Sequence, residues 1–112
     1  MLSYFSGVYQ NGFLVYSVNM YYKEPELYRV IMLNDEYTFP EFMAVILGEV
    51  FDMRINDANR LLLEILQYGE GTAGTYPWDI AMTKAKEVHE IAEDHGFPLR
   101  CVVVSEYGSV SG

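Results

Sequence analysis

Basic residues are scarce in this 112-residue chain: 7 Lys and Arg stand against 16 Asp and Glu, for a formal net charge of −9. A nucleic-acid partner requires a basic face to neutralise phosphates, so that class of function is excluded. A cationic protein surface would instead be steered in. Cysteine is limited to Cys101, which rules out an internal disulfide. Its place in the apolar run Cys101-Val102-Val103-Val104 predicts a reduced thiol buried in the core, and with it a cytoplasmic setting. Histidine is limited to His89 and His95. His89 and Glu93 are spaced to share a helical face, but no second Cys or His cluster exists to complete a zinc site. No metal or other cofactor is therefore expected, and His89, Glu90, Glu93 and His95 read as a solvated, charged face. No Ser, Cys or Thr stands in a recognisable nucleophile motif, so catalysis is not expected either.

Uninterrupted apolar runs are short. Ser, Asn, Gln and Gly break every run within the first 22 residues, which hold no Asp, Glu, Lys or Arg but five of the ten tyrosines. With no basic leader before the apolar residues, a signal peptide and a membrane span both fit poorly. Residues 1–26 form an apolar, tyrosine-rich extension with three readings: a strand or hairpin around Gln10-Asn11-Gly12, a loose arm, or an over-long gene start with Met20 as the alternative. The chain as a whole has the composition of a globular protein, 51% hydrophobic and 21% charged, with room for one modest core. Residues 27–106 are assigned to that core domain, expected as a monomer, and 107–112 to a loose tail.

Residues 28–33 read as a strand, with Tyr28, Val30 and Met32 on one face and Ile31 and Leu33 on the other. Thr38-Phe39-Pro40-Glu41 fits a capping box, with Thr38 as N-cap and Glu41 reaching back. Met43, Ile46, Leu47 and Val50 follow at the spacing of one helical face. Asn56 is a candidate cap for a second helix, where Ala58, Leu61, Leu62 and Ile65 repeat that spacing. Gly69-Glu70-Gly71 ends it, and a short strand fits between Thr72 and Tyr76. Pro77 opens a third helix whose inner stripe is Ala81, Ala85, Val88 and Ala92; Gly96 and Pro98 stop it near His95. Residues 99–104 form the last strand. The expected fold is α+β: a small α/β sandwich with a three-stranded antiparallel sheet and three helices, in the order β-α-α-β-α-β.

Gly69-Glu70-Gly71-Thr72-Ala73-Gly74 matches G-x-G-x-x-G letter for letter. A dinucleotide site needs a strand before that motif and a helix after it. Here a helix precedes and a strand follows, so these glycines make a turn. Asn34-Asp35-Glu36 is the better candidate. The simplest reading is an Asx-type turn linking strand to helix. Yet the acids follow an apolar strand and meet the helix that carries Met43. Carboxylates and an amide beside apolar side chains suit a free N-terminus with a bulky first residue, worth about 1.5–3 kcal/mol for the side chain and about as much for a charge-assisted hydrogen bond.

These segments resemble the ClpS family of Clp protease adaptors. Leu33-Asn34-Asp35-Glu36-Tyr37-Thr38 is similar to the family's L-N-D-D-Y-T, with Glu for the second Asp. Gly69 and Gly74, Thr83-Lys84, Glu87-Val88-His89 and His95-Gly96-Phe97-Pro98-Leu99-Arg100-Cys101 match in the same order. The resemblance implies the small sandwich fold that ClpS shares with the C-terminal domain of the ribosomal stalk protein. It also implies an adaptor, not an enzyme, docking on the N-terminal domain of a Clp AAA+ unfoldase. Its substrates would be proteins with bulky hydrophobic N-terminal residues, the N-degrons. Carried over by position, Asn34, Asp35, Glu36 and Thr38 would hold the substrate N-terminus. Met43, Leu62, Ile65 and Leu99 would line the side-chain pocket, with Pro40 where the family has a bordering methionine. Asp79 and Lys84 would face the unfoldase. Leu66 occupies the place of the family histidine that bonds the substrate α-amino group, and leucine cannot form that bond. Two alternatives stand beside it: a docking-only modulator of the unfoldase, or a different enzyme or small-ligand domain using Asn34-Asp35-Glu36 as acid/base groups.

Overall fold

The computed structural model describes residues 26–106. The expectations for the N-terminal extension, the Met20 start and the tail after Glu106 lie outside these residues. The element order is β1 (Leu27–Leu33), α1 (Pro40–Phe51), α2 (Ile55–Tyr68), β2 (Glu70–Pro77), α3 (Trp78–Asp94) and β3 (Arg100–Ser105). The sheet runs β2-β1-β3, with both outer strands antiparallel to β1. This is the expected α+β arrangement, and three helices cover the face of β1 that bears Val30 and Met32.

The helical stripes read from spacing are the ones that pack. Met43, Ile46, Leu47 and Val50 of α1 are buried with Ala81, Ala85, Val88 and Ala92 of α3, together with Val30 and Met32. The small side chains of the α3 stripe allow its backbone to lie close to the sheet. In α2 only Ala58 and Ile65 are buried, while Leu61 and Leu62 are half-buried at the margin.

Strand β2 is longer than Thr72–Tyr76 because its pairing begins directly after the α2 C-cap, Gly69, at φ 88°. Its register shifts between Val30, opposite Gly74, and Ile31, opposite Thr72. Ala73 is the extra residue of this bulge, and its methyl group joins the core. Gly71 is a glycine for want of room: a Cβ there would lie 2.8 Å from Leu61 Cδ1 and 2.9 Å from Ile65 Cγ1. Gly69 therefore stops the helix, whereas Gly71 and Gly74, expected in a turn, lie inside β2, where Gly71 allows the close helix–strand approach.

Two caps differ from expectation. The first residue of α1 is Pro40 and its N-cap is Phe39, with no side-chain cap bond. Pro40 favours the first helical position, which places Thr38 one residue too early to cap. Helix α2 begins at Ile55 behind Arg54, so Asn56 lies inside it and is not the cap. The end of α3 follows expectation in detail. Gly96 at φ 78° donates to the Glu93 carbonyl and Phe97 to that of Ala92, the two bonds of a Schellman motif. Phe97 then packs on Phe42 with the rings tilted by 40°, fixing the α3–β3 connection against α1. Glu106, the last residue assigned to the core domain, donates its backbone N–H to the Leu27 carbonyl and extends the β1–β3 ladder.

Candidate functional site

Asp35 organises the corner between β1 and α1. Its Oδ1 accepts the backbone N–H of Tyr37 at 2.8 Å and of Thr38 at 2.7 Å, and its Oδ2 accepts the Thr38 hydroxyl at 2.7 Å. Thr38, 5% exposed, thus spends its hydroxyl on Asp35 rather than on the helix, because an ionised carboxylate is the stronger acceptor within reach. The Asx-turn reading and the candidate site are one structure: Asp35 makes the turn rigid. The side chains of Asn34 and Glu36 are exposed and make no hydrogen bond or ion pair among the described residues. They are available to a ligand, beside a carboxylate held in place.

The corner is tied to the end of α2 by one long-range bond, from the Asn34 backbone N–H to the Gly69 carbonyl at 2.9 Å. Leu66, three residues before Gly69 on the last turn of α2, is 43% exposed. Met43, Ile65 and Leu99 belong to the buried core and have no accessible surface, Leu62 is half-buried against that core, and Pro40 is exposed. The residues read as a side-chain pocket therefore split into a buried floor and an accessible border. Beside them Phe39, exposed, meets Phe97 edge-on at 5.2 Å, and Phe42 lies 4.6 Å from the same ring. This aromatic cluster next to Pro40 was not expected; the Phe39, Phe42 and Phe97 spacing gave no sign that α1 and the α3–β3 turn would meet.

A family model for the ATP-dependent Clp protease adaptor protein ClpS matches residues 23–102. The chain belongs to the ClpS family. It is similar to the ATP-dependent Clp protease adapter protein ClpS of Helicobacter hepaticus, with 42% identity over 77% of this chain and 87% of that protein. It also resembles that of Hyphomonas neptunium, with 42% identity over 75% and 71%. Among solved structures, Agrobacterium tumefaciens ClpS2 bound to L-phenylalaninamide is similar, at 37% identity and a TM-score of 0.72, covering 74% of this chain and all of that one. The ClpS family consists of adaptors of a protease rather than enzymes, and the fold is the ClpS fold.

Within that ClpS framework the two residues assigned to the unfoldase lie apart from the Asp35 corner, on α3. Asp79 is exposed in its first turn. Lys84 is half-buried and already engaged: its Nζ donates to the Val50 carbonyl at 2.8 Å and lies 5.6 Å from the centre of the Tyr76 ring. The last turn of α1 has no basic residue, so Lys84 supplies the positive charge that end favours.

His89 is not part of a solvated face, although Glu90, Glu93 and His95 are exposed. Its Nε2 accepts the Cys101 backbone N–H at 3.0 Å, which requires that nitrogen to be unprotonated. Burial, then the charge of Arg100, lowers its pKa from the ordinary value. The folded chain therefore binds this proton less readily than the unfolded chain. Stability is expected to hold above about pH 6.5, the ordinary imidazole value, and to decline as pH falls below it. Urea unfolding at about pH 7.5 and 5.5 checks this, and in His89→Gln the difference between the two should shrink. An unchanged difference would remove His89 as its source. Cys101 itself is buried as expected, and burial pushes its thiol up to about 12.

Proposed function

We propose that this chain is a Clp adaptor whose Asn34-Asp35-Glu36 corner receives the free N-terminus of a substrate protein bearing a bulky hydrophobic first residue. The observation that carries the reading is the corner itself: a carboxylate locked by three hydrogen bonds, flanked by an amide and a second carboxylate whose side chains have no partners among the described residues. An α-ammonium group brings three donors and a charge to acceptors already in position. The ligand of the similar Agrobacterium tumefaciens structure supports it, since L-phenylalaninamide presents a free α-amino group and an aromatic side chain. Pro40 and Leu62 would border the entering side chain, above Met43, Ile65 and Leu99. Asp79 would then face the N-terminal domain of a Clp AAA+ unfoldase, with Lys84 shaping that surface while holding the end of α1. The bound substrate would be handed on for ATP-dependent proteolysis, in the cytoplasm, by a monomeric adaptor.

Leu66 favours a second reading. It offers no hydrogen bond to an ammonium, and the floor residues beneath the site are closed. A modulator that docks on the unfoldase without carrying substrate would tolerate both features. Fluorescence anisotropy separates the two, using a labelled peptide that begins with Phe and its N-acetylated twin. The adaptor reading expects the free peptide to bind and the acetylated one to fail. Failure of both, with docking on a Clp N-terminal domain retained, establishes the modulator.

A further inference from the structure

The first residues of β3 are held from two sides. On one side Arg100 lies directly opposite Leu33, the last residue of β1 before the Asn34 corner. On the other, α3 reaches across to the edge of the sheet. The Glu106 amide donates to Leu27, so alternation along the antiparallel ladder turns the even-numbered amides of β3 toward β1 and the odd-numbered ones outward. The Cys101 amide thus points away from β1, with no strand beside it among the described residues. His89 Nε2 accepts it instead, at 3.0 Å. Leu99, two residues before Cys101, stands just outside the ladder and has no bond of that kind. Its side chain is fully buried in one cluster with Met43 and Ile65. Its carbonyl accepts a bond from the Arg100 guanidinium, an exposed group.

We propose that His89 is a positioning residue of the peptide site: by holding the Cys101 amide it fixes Leu99 in the floor beneath the substrate's first side chain, and its protonation loosens that floor and weakens binding. The inference rests on the reading of the Asn34-Asp35-Glu36 corner as the seat of a substrate N-terminus. The chemistry is that of the ring nitrogens. A neutral imidazole keeps one of them as an acceptor, whereas an imidazolium offers two donors and no acceptor. Once protonated, Nε2 confronts an N–H at 3.0 Å with a second N–H, and the pair must part. His89 is half-buried and lines a groove between α3 and β3, which gives the ring room to swing out. The start of β3 is then held by β1 alone, and Leu99 loses the anchor two residues away. The groups around the ring are Lys86, Glu90 and Glu93 from α3, with Arg100 and the Cys101 thiol from β3. Among the described residues the groove is lined from these two elements only. Lys86 and Arg100 oppose the imidazolium, Glu90 and Glu93 favour it, and the buried thiol stays neutral throughout the range.

Anisotropy titrations with the labelled Phe peptide, run on the full chain between about pH 7.5 and 5, test the proposal. NMR spectra of the Leu99 methyl groups and the His89 ring accompany them over the same range. The wild-type dissociation constant is expected to rise about three- to tenfold as His89 takes up its proton, the effect of one neutral hydrogen bond. His89→Gln keeps an acceptor at similar reach and should bind like the wild type at the upper pH, without the rise. His89→Leu has no acceptor at any pH and should bind weakly throughout. A flat wild-type profile overturns the proposal. So does an equal rise in His89→Gln, which would assign it to another titrating group such as His95. A rise abolished by about 0.5 M salt would be repulsion between distant charges, and overturns it as well. If no peptide binds at any pH, the N-terminus reading fails by itself, and the spectra decide the positioning role. Leu99 shifts that follow the His89 titration then uphold it, and shifts that ignore that titration overturn it.

Discussion

Replacing Leu66 by histidine is expected to tighten binding of a peptide with a free N-terminal Phe roughly ten- to a hundredfold, with no effect on its N-acetylated twin. The figure is one charge-assisted hydrogen bond, about 1.5–3 kcal/mol, added to a site whose other acceptors are already in place. Leu66 is on the last turn of α2, and the Asn34–Gly69 bond holds that turn against the acidic corner, so an imidazole there starts close to the ammonium. The fold should tolerate the change because the leucine is 43% exposed and buries little. The gain should disappear below about pH 6.5, where a protonated imidazole repels the ammonium. Anisotropy titrations of both peptides at two pH values measure all of this. Absence of any gain would separate the α2 terminus from the peptide site.

The larger loss is expected at Asp35. In Asp35→Ala the buried Thr38 amide and hydroxyl lose their acceptor together with the Tyr37 amide. Leaving two part-buried groups unsatisfied costs about 2–4 kcal/mol of stability, read as a lower urea midpoint. Peptide affinity should fall more than about a hundredfold, since both the charge and the loop geometry are removed. Asp35→Asn separates the two causes. Its amide oxygen still accepts both backbone N–H groups, and its NH₂ can donate to the Thr38 hydroxyl, so the loop persists without the charge. Near-wild-type stability with strongly weakened binding is the expected result. Unweakened binding in Asp35→Asn would mean that the corner is a structural turn only.

Much of this was legible before any coordinates. The stripes Met43-Ile46-Leu47-Val50 and Ala81-Ala85-Val88-Ala92 are periodic, and periodicity is a local property that burial then reuses. Gly96 and Pro98 ended α3 for conformational reasons internal to those residues. The acidic corner stood out because its charges interrupt an apolar pattern. Other features could not be read so. Thr38 was expected on the helix and went to Asp35, since Pro40 fixed where α1 begins. Lys84 was expected to face the unfoldase, and nothing local showed that it also closes α1 from 34 residues away. His89 looked solvated, yet it holds the Cys101 amide.

By itself, then, the sequence determined the order of elements, the apolar faces, the family and the position of the acidic corner along the chain. Tertiary structure decided that α2 ends beside that corner, that Ala73 bulges into the core, and which polar groups were already spent. The division has a physical cause. Apolar burial is non-directional and follows from composition at a given period, whereas a hydrogen bond is satisfied only by a partner about 3 Å away in the right direction. Which partner that is, for Asp35, Lys84 or His89, depends on chain segments that become neighbours only when the sheet and helices close on one another.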